Sequence, residues 1–268
     1  MNKTIGFIGC GNMGGALARA AARGTDPRHI VLHNRSAAKA EALAAELGAR
    51  TGTLAEAAGC DYIFLGVKPQ GLAELAEELR PLLAERAARQ ERFVLVSMLA
   101  AVTVDKLKAL LGDAPVIRLM PNTPVGVGEG LVLYCSQGTE PEEPAEFLET
   151  MAGAGMFCPL EEKLIDAGSA VSGCGPAYAF MFIEALADGG VRCGLKRADA
   201  QRFAAQMLLG SAKLLLESGR HPGELKDAVC SPGGSTIAGV AALEDGAFRA
   251  AAADAVVSAY QRTLEMGK

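Results

Sequence analysis

Hydrophobic and polar positions follow two different rhythms along the chain. In the first 160 residues, short runs rich in β-branched residues alternate with alanine-rich stretches of helical periodicity. This alternation predicts an α/β fold, a mostly parallel sheet with helices on both faces. The predicted strands are Lys3–Ile8, His29–His33, Asp61–Val67, Arg92–Ser97, Pro115–Met120, Gly130–Cys135 and Gly155–Leu160. The clearest predicted helices are Met13–Arg23, Ala37–Leu47 and Leu72–Arg89, and the polar segment Ser136–Glu146 is expected to be a surface loop.

The rest of the chain has few β-branched runs and reads as long helices interrupted by glycine. Helices are predicted at Ala177–Gly189, Ala198–Ser218 and Gly246–Glu265. The first of these is apolar on nearly every face, so most of its surface must be covered by other protein. A helical unit of this size buries little by itself, which predicts a dimer built through this half. We therefore expect a sheet domain at 1–160 and an all-helical dimerisation domain at 161–268.

Composition and charge exclude several classes of protein. The chain has 268 residues, of which 50% are hydrophobic and 21% are charged, so it is not a disordered protein. A net charge of −5 without a basic block argues against nucleic-acid binding. No apolar run reaches the roughly 18 residues of a membrane span, and no secretory signal is visible. Seven cysteines without C-x-x-C spacing predict reduced thiols in the cytoplasm, and three scattered histidines predict no metal site.

A glycine motif lies between the first predicted strand and the first predicted helix. Gly9, Gly11 and Gly14 match G-x-G-x-x-G, the fingerprint of a Rossmann-like dinucleotide-binding domain. The glycines permit a tight turn, close approach of the backbone to a pyrophosphate, and close packing of helix on strand. The helix start offers free N–H groups to the anion, so Cys10, Asn12 and Met13 join the predicted site. The alternative is an ordinary strand-to-helix turn.

The end of the second strand indicates which dinucleotide binds. It reads His33-Asn34-Arg35-Ser36 and has no acidic residue to hold a ribose diol, as an NAD site usually has. Arg35, flanked by Asn34 and Ser36, is suited to a 2′-phosphate, so we predict NADP(H), with NADH as a second cofactor in use. The alternative is that Arg35 is a solvated surface charge. Gly66, Val67 and Lys68 end the third strand and are predicted to line the same crevice, although Lys68 also fits a simple turn before proline.

A second chemical motif lies in the helical half. Ser231-Pro-Gly-Gly-Ser235-Thr236 precedes an apolar helical run, and its glycines and proline require a turn. Backbone N–H groups and hydroxyls at a helix start suit a small carboxylate, with Ser235 or Thr236 expected to cap the helix. The alternative is a plain loop with a good cap. No catalytic His–Ser or His–Cys arrangement is visible, and a protonated imine needs no separate proton donor. The motifs therefore favour C=N reduction over C=O reduction.

These motifs together resemble those of the Δ1-pyrroline-5-carboxylate reductase family. The residues that carry the resemblance are Ser-Gly-x-Gly-Pro-Ala-Tyr at 172–178 and Leu-Lys-Asp-x-Val-x-Ser-Pro-Gly-Gly-x-Thr-Ile at 225–237. Shorter matches lie at 6–13, 67–70 and 118–124, so the resemblance covers essentially the whole chain in order. It implies hydride transfer from NAD(P)H to C5 of 1-pyrroline-5-carboxylate, which gives L-proline in the last step of proline biosynthesis. It also implies a homodimer with interleaved helical domains, and in some members a decamer of five dimers.

The resemblance also implies roles for individual residues. Thr236 is the candidate for hydrogen bonding to the imine, in a pocket that the other subunit of the dimer completes. The residues expected to bind the substrate carboxylate are Ser231, Gly233, Gly234, Ser235 and Thr236. The residues expected to bind the cofactor are Gly9, Cys10, Gly11, Asn12, Met13, Gly14, Asn34, Arg35, Ser36, Gly66, Val67, Lys68 and, beside the nicotinamide, Ala100.

The chain departs from the family pattern at a few positions. Ala101 stands where the family usually has glycine, Thr53 where an asparagine often contacts the ribose, and Cys174 and Ser235 replace the commoner serine and threonine. Two other functions stay open. One is a β-hydroxyacid dehydrogenase or imine reductase. Such a dehydrogenase typically has a catalytic lysine in the long helix after the domain junction. Residues 161–190 offer only Lys163, which lies before that helix, and this counts against the dehydrogenase. The other is a catalytically silent dinucleotide-binding regulatory protein, which turnover with substrate would distinguish.

Overall fold

The computed structural model describes residues 3–266, in which one eight-stranded sheet is followed along the chain by helices. The chain divides into two compact units. Of the described residues, one unit comprises 3–174 together with 260–266, and the other is Gly175–Ala259. An α/β sheet unit followed by helices confirms the predicted fold class.

The sheet has the strand order β3-β2-β1-β4-β5-β6-β7-β8. All neighbouring strands pair in parallel except β6 and β7, which are antiparallel. The strands are β1 Ile5–Ile8, β2 Ile30–His33, β3 Arg50–Thr51, β4 Tyr62–Leu65, β5 Val94–Ser97, β6 Val116–Met120, β7 Gly130–Gln137 and β8 Gly155–Pro159. Each predicted strand is present, while β3 was missed because two exposed residues give no periodic signal.

Among the described residues, seven α-helices lie wholly within the sheet unit and connect or flank these strands. They are α1 Asn12–Gly24, α2 Ala37–Leu47, α3 Leu54–Ala58, α4 Leu72–Ala88, α5 Val104–Leu111, α6 Glu143–Thr150 and α7 Glu162–Ser172. The predicted loop over Ser136–Glu146 was wrong at both ends, because β7 continues to Gln137 and α6 begins at Glu143. Glu143 is buried beneath Arg92, whose Nη2 lies 2.7 Å from Oε2 of Glu143, and this ion pair anchors the helix.

The apolar side chains of the strands alternate between the two faces of the sheet, and each face carries its own core. Phe7 belongs to one core and Ile8 to the other. Phe7 stacks on Phe64 with 4.4 Å between ring centroids. Burial on both faces is what the continuous apolar runs predict for a parallel sheet. The two cores fix the direction of the strands and thereby bring the carboxyl ends of the parallel strands to one edge.

The helical unit is built differently. Its helices are α8 Gly175–Arg192, α9 Arg197–Ser218, α10 Pro222–Ala228, α11 Ser235–Asp245 and α12 Phe248–Met266, the last of which ends in the first unit. On the packed pair α8 and α9 only small side chains are buried, at Ala187, Ala200 and Ala204. Large apolar side chains are exposed instead, at Phe180, Met181, Phe203, Met207, Leu209, Leu214, Leu216, Val229, Ile237, Leu243, Phe248 and Val257. Such a surface is typical of a helical unit whose core another copy completes.

One stretch of the described residues passes a simple test for a membrane span. The stretch Glu162–Arg192 is long and apolar enough by length and composition, with a mean hydropathy of 1.3 over an 18-residue window. It comprises α7 and α8 with a turn between them. The apolar helices of a protein–protein interface pass the same test, because they too are apolar over many residues.

Candidate functional site

The structure places the predicted cofactor residues after the carboxyl ends of four parallel strands. The turn with Gly9–Gly14 follows β1, Asn34–Ser36 follow β2, Gly66–Lys68 follow β4, and Ala100 lies in the segment after β5. Since these strands are parallel neighbours, all thirteen residues lie along one edge of the sheet. In open α/β sheets, ligands bind in the crevice outside this edge.

Three glycines at this edge touch through their backbones. Gly9 has φ +108°, and a Cβ there would lie 2.6 Å from the carbonyl carbon of Gly66. A Cβ on Gly66 would lie 2.5 Å, and a Cβ on Gly14 2.1 Å, from the carbonyl oxygen of Gly9. Side chains at these positions would force the β1 turn away from β4 and from α1. The glycine spacing is therefore required by the packing of this turn.

The start of α1 is open to an anion. Gly11 is its N-cap, no side chain caps the helix, and the first turn holds no acidic residue. A Cβ on Gly11 would meet nothing within 4 Å, so the open side of the turn adjoins free space. Unpaired N–H groups and the positive end of the helix dipole favour a phosphate group there. These features fit the pyrophosphate of a dinucleotide.

Cys10 and Asn34 form the framework of the turn. The backbone N–H of Cys10 donates to Oδ1 of Asn34 at 3.0 Å, and Nδ2 of Asn34 donates to the carbonyl of Ser36 at 3.0 Å. Burial raises the pKa of the Cys10 thiol from 9.0 to about 11, so this thiol stays neutral at physiological pH. The amide of Asn34 therefore holds the turn after β1 against the segment after β2.

Two exposed cations, Arg35 and Lys68, lie at the same edge. The side chain of Arg35 is 92% exposed, and its Nη1 lies 3.7 Å from Oε2 of Glu74, which is itself largely exposed. An exposed ion pair of this length contributes little to stability, so the guanidinium is available to another anion. Lys68 is also exposed and precedes a short 3-10 helix at Pro69–Gly71. Ser36 is the N-cap of α2, but its hydroxyl makes no capping hydrogen bond.

The segment after β5 has a strained residue. Ala101 has φ +58°, in the left-handed region that glycine adopts freely, which explains why glycine suits this position. The backbone N–H of Met98 donates to the carbonyl of Leu65 at 3.4 Å and thereby joins the segment to the end of β4. Thr53, by contrast, accepts from the backbone N–H of Glu56 at 3.2 Å in a capping box, so its hydroxyl serves α3.

The predicted carboxylate site forms a tight turn at the start of α11 in the helical unit. Gly233 has φ +65°, and the N–H of Gly234 donates to the carbonyl of Ser231 at 3.0 Å. The expected cap was wrong, because Gly234 is the N-cap and no side chain caps α11. The turn moves Ser235 and Thr236 into the first helical turn, where both are exposed. The hydroxyls and the uncapped N–H groups are free for a ligand.

Sequence reasoning assigned no role to two buried polar residues of the sheet unit. Arg118, only 1% exposed, lies on β6 with Nη2 2.7 Å from Oδ1 of Asp166 and Nη1 3.3 Å from Oε1 of Glu162. Asn122 donates from Nδ2 to the carbonyl of Ser172 at 3.1 Å. An arginine within an apolar strand was the available signal, since a buried cation must find acids. Its partners, far along the chain, could not be read locally.

Metal-ligating side chains do not gather anywhere in the part of the chain that the structure describes. Residues 3–266 contain no group of three or more His, Cys, Asp or Glu that could hold a metal ion. The seven cysteines, all within this range, form no disulfide.

Comparison with known proteins gives matches over the full length of the chain. The family described as "Pyrroline-5-carboxylate reductase dimerisation" matches residues 162–266, and "NADP oxidoreductase coenzyme F420-dependent" matches residues 4–101. Pyrroline-5-carboxylate reductase of Escherichia coli (strain K12) is 40% identical over 274 residues, covering 100% of both chains. A solved pyrroline-5-carboxylate reductase of Coxiella burnetii is 30% identical with a TM-score of 0.88, covering 100% of both chains. A pyrroline carboxylate reductase of Plasmodium falciparum, solved with NADP bound, is 29% identical with a TM-score of 0.86, covering 100% of this chain and 99% of its own.

Proposed function

The chain belongs to the pyrroline-5-carboxylate reductase family, and we propose from this premise how its own residues bind cofactor and substrate. It is an oxidoreductase that reduces 1-pyrroline-5-carboxylate to L-proline with NAD(P)H, the last step of proline biosynthesis. The observation that carries this function is 40% identity over the whole chain to a curated reductase. When bound, the reduced nicotinamide supplies the hydride that C5 of the cyclic imine receives.

The cofactor is held along the carboxyl edge of the sheet. The uncapped N–H groups at Asn12 and Met13, with the bare backbone of Gly11, bind the pyrophosphate. Ala100, partly exposed in the segment after β5, lies beside the nicotinamide. The remaining residues that we assign to this cofactor site are Gly9, Cys10, Gly14, Asn34, Ser36, Gly66, Val67 and Lys68.

NADP(H) is the preferred cofactor in this proposal, and NADH is the second cofactor in use. The segment after β2 has no carboxylate to accept hydrogen bonds from a ribose diol, and the exposed guanidinium of Arg35 pairs well with a 2′-phosphate. The NADP in the related Plasmodium falciparum structure supports a site of this kind. Binding the 2′-phosphate costs the contact with Glu74, which is weak because both side chains are exposed.

The substrate binds at the start of α11. N–H groups of the Gly233–Gly234 turn, with the hydroxyls of Ser231 and Ser235, bind the carboxylate. The hydroxyl of Thr236 accepts a hydrogen bond from the protonated imine nitrogen. A protonated imine already carries the charge that hydride transfer neutralises, so this site needs no carboxylic acid as proton donor. Thr236 thereby orients C5 for attack.

The chain self-associates through its helical region, which the family's dimerisation model matches. We propose a homodimer as the basic unit, since the exposed apolar side chains of α8 and α9 need a protein partner. Assembly of five dimers into a decamer stays a prediction, as do the domain limits 1–160 and 161–268. Seven unpaired cysteines support a reducing compartment, and we propose the cytoplasm.

Equilibrium titrations of the purified enzyme with NADPH and with NADH test the cofactor assignment. Tighter binding of NADPH that depends on Arg35 supports the proposal, and equal affinity for both cofactors contradicts it. Turnover with 1-pyrroline-5-carboxylate in the same samples separates a reductase from a silent binding protein, because the latter would bind the cofactor and oxidise none of it.

A further inference from the structure

The amino terminus of α5 is completed by a side chain from a distant element. The helix begins at Val104, and the backbone N–H of Val104 donates to Oε1 of Glu162 at 2.7 Å. Glu162 is the first residue of α7 and lies 58 positions further along the chain. The neighbouring Thr103 accepts from the N–H of Lys106 at 3.3 Å. Two of the N–H groups that a helix start leaves unpaired are therefore satisfied, one of them by a carboxylate.

Glu162 is itself fixed by a buried arginine. Nη1 of Arg118 lies 3.3 Å from the same Oε1 that accepts from Val104, and Nη2 lies 2.7 Å from Asp166 on the next turn of α7. The side chain of Arg118 is 1% exposed, and its Nε has no hydrogen-bond partner. A buried guanidinium holds its carboxylate partners firmly, because losing one leaves an uncompensated charge. The side chain of Glu162 is therefore held in place by Arg118 of strand β6.

The hydrogen bond between Val104 and Glu162 lies at the end of the segment that we place beside the nicotinamide. Residues 98–103 connect β5 to α5 at the same sheet edge as the Gly9 turn. The segment includes Ala101 at φ +58°, a conformation that costs a non-glycine residue about 1 kcal/mol or more. Such a residue persists only where its surroundings hold it. The hydrogen bonds that hold the two ends of the segment are Met98 with Leu65 and Val104 with Glu162, and between them Leu99 and Val102 are buried in the core.

We propose that Glu162 is a positioning residue for hydride transfer, which acts by holding segment 98–103, and with it Ala100, against the nicotinamide side of the cofactor site. The inference rests on the proposed cofactor site. Arg118 orients Glu162, and Glu162 fixes the start of α5. Neither residue touches cofactor or substrate in this account. Loss of the contact loosens the end of the strained segment that leads into α5, so the cofactor must order that end on binding.

The test compares Glu162→Ala with Glu162→Gln, whose amide oxygen still accepts from Val104. Glu162→Asp, which keeps the charge and shortens the side chain, gives the same comparison if the alanine variant does not fold. The matched control is Glu161→Ala, because Glu161 is exposed and pairs only with Lys163 in the described structure. Each enzyme is titrated with NADPH, and its amide hydrogen exchange is followed over 98–106 and over the strands.

We expect Glu162→Ala to raise the Kd for NADPH about three- to tenfold, because part of the free energy of the lost charge-assisted hydrogen bond must be regained when the cofactor orders the segment. Faster exchange should be confined to 98–106, and Glu162→Gln and Glu161→Ala should stay within about twofold of the unchanged enzyme in Kd. Unchanged NADPH affinity and exchange in Glu162→Ala would overturn the proposal. Faster exchange throughout the sheet would also overturn it, since that indicates a general structural role. If the unchanged enzyme does not bind NADPH, the proposed cofactor site itself is wrong, and exchange over 98–106 decides separately whether Glu162 holds the segment.

Discussion

The carbonyl oxygen of Gly9 lies so close to Gly14 that a Cβ on Gly14 would stand 2.1 Å from it. Gly11, between them, is different, since a Cβ there would meet no atom of the protein within 4 Å. Gly11 and Gly14 thus serve different purposes within one motif. Gly14 lets α1 pack on the turn, and Gly11 leaves space that we assign to the pyrophosphate.

Alanine substitutions separate these purposes. Gly14→Ala should lower the free energy of unfolding by about 1–3 kcal/mol, because the new methyl group collides with backbone that cannot yield cheaply. Gly11→Ala should leave the unfolding free energy within about 0.5 kcal/mol and raise the Kd for NADPH at least about tenfold, a loss of about 1.4 kcal/mol. Urea unfolding and NADPH titration measure both effects. If Gly11→Ala binds NADPH normally, the pyrophosphate does not approach that backbone.

Cofactor choice should depend on Arg35. Arg35→Ala should raise the KM for NADPH about tenfold or more and leave the KM for NADH within about twofold, since only NADPH offers a 2′-phosphate to the guanidinium. Arg28→Ala is the matched control, because Arg28 is 84% exposed and pairs with Asp26 on the preceding segment. Steady-state kinetics with each cofactor measure the change. Equal effects on both cofactors would show that Arg35 does not recognise the 2′-phosphate.

The reaction should be sensitive to the hydroxyl of Thr236. Thr236→Ala should lower kcat/KM for 1-pyrroline-5-carboxylate about ten- to a hundredfold, because the substrate's charged imine loses its hydrogen-bond partner. The Kd for NADPH should not change. Thr236→Ser keeps the hydroxyl and should retain most of the activity. Kinetics of the alanine variant that match the unchanged enzyme would remove Thr236 from the site.

Alkaline pH should weaken the fold through Cys10. Burial raises the pKa of this thiol from 9.0 to about 11, so the native state keeps its proton where the unfolded chain loses it. The native state therefore binds more protons above pH 9, and stability falls as pH rises. Between pH 8 and pH 10 the thiol should account for a loss of about 1 kcal/mol.

The comparison of Cys10→Ala with the unchanged enzyme isolates this contribution. Urea unfolding at pH 8 and at pH 10 should show a smaller loss of stability in the variant. Cys193→Ala, at an exposed position, is the matched control and should keep the full loss. An identical loss in Cys10→Ala would mean that the thiol is not the group that titrates.

The sequence predicted correctly those features that depend on residues close together in the chain. The run Tyr62–Leu65 was expected to be buried on both faces, and all four of its residues are buried. The glycine motif was expected between strand and helix, where it lies. Both depend on periodicity or on backbone conformation within a few residues, which a sequence shows directly.

Features that depend on distant partners could not be read in this way. Glu143 begins a helix where a loop was expected, because Arg92, 51 positions earlier, pairs with it. Glu162 completes α5 from 58 positions away. In the substrate motif, we predicted Ser235 or Thr236 as the N-cap of α11 because helices prefer such caps. The N-cap is instead Gly234, which follows the turn made by Gly233 at positive φ. The assigned roles of these site residues stay predictions.

Oxidation of NADPH at 340 nm by the purified enzyme, started with 1-pyrroline-5-carboxylate, tests the central claim most directly. We expect rapid loss of absorbance with L-proline formed in equal amount, and a slower reaction with NADH. The product should be absent when substrate or enzyme is omitted. NADPH that binds without being oxidised in the presence of this substrate would contradict the account.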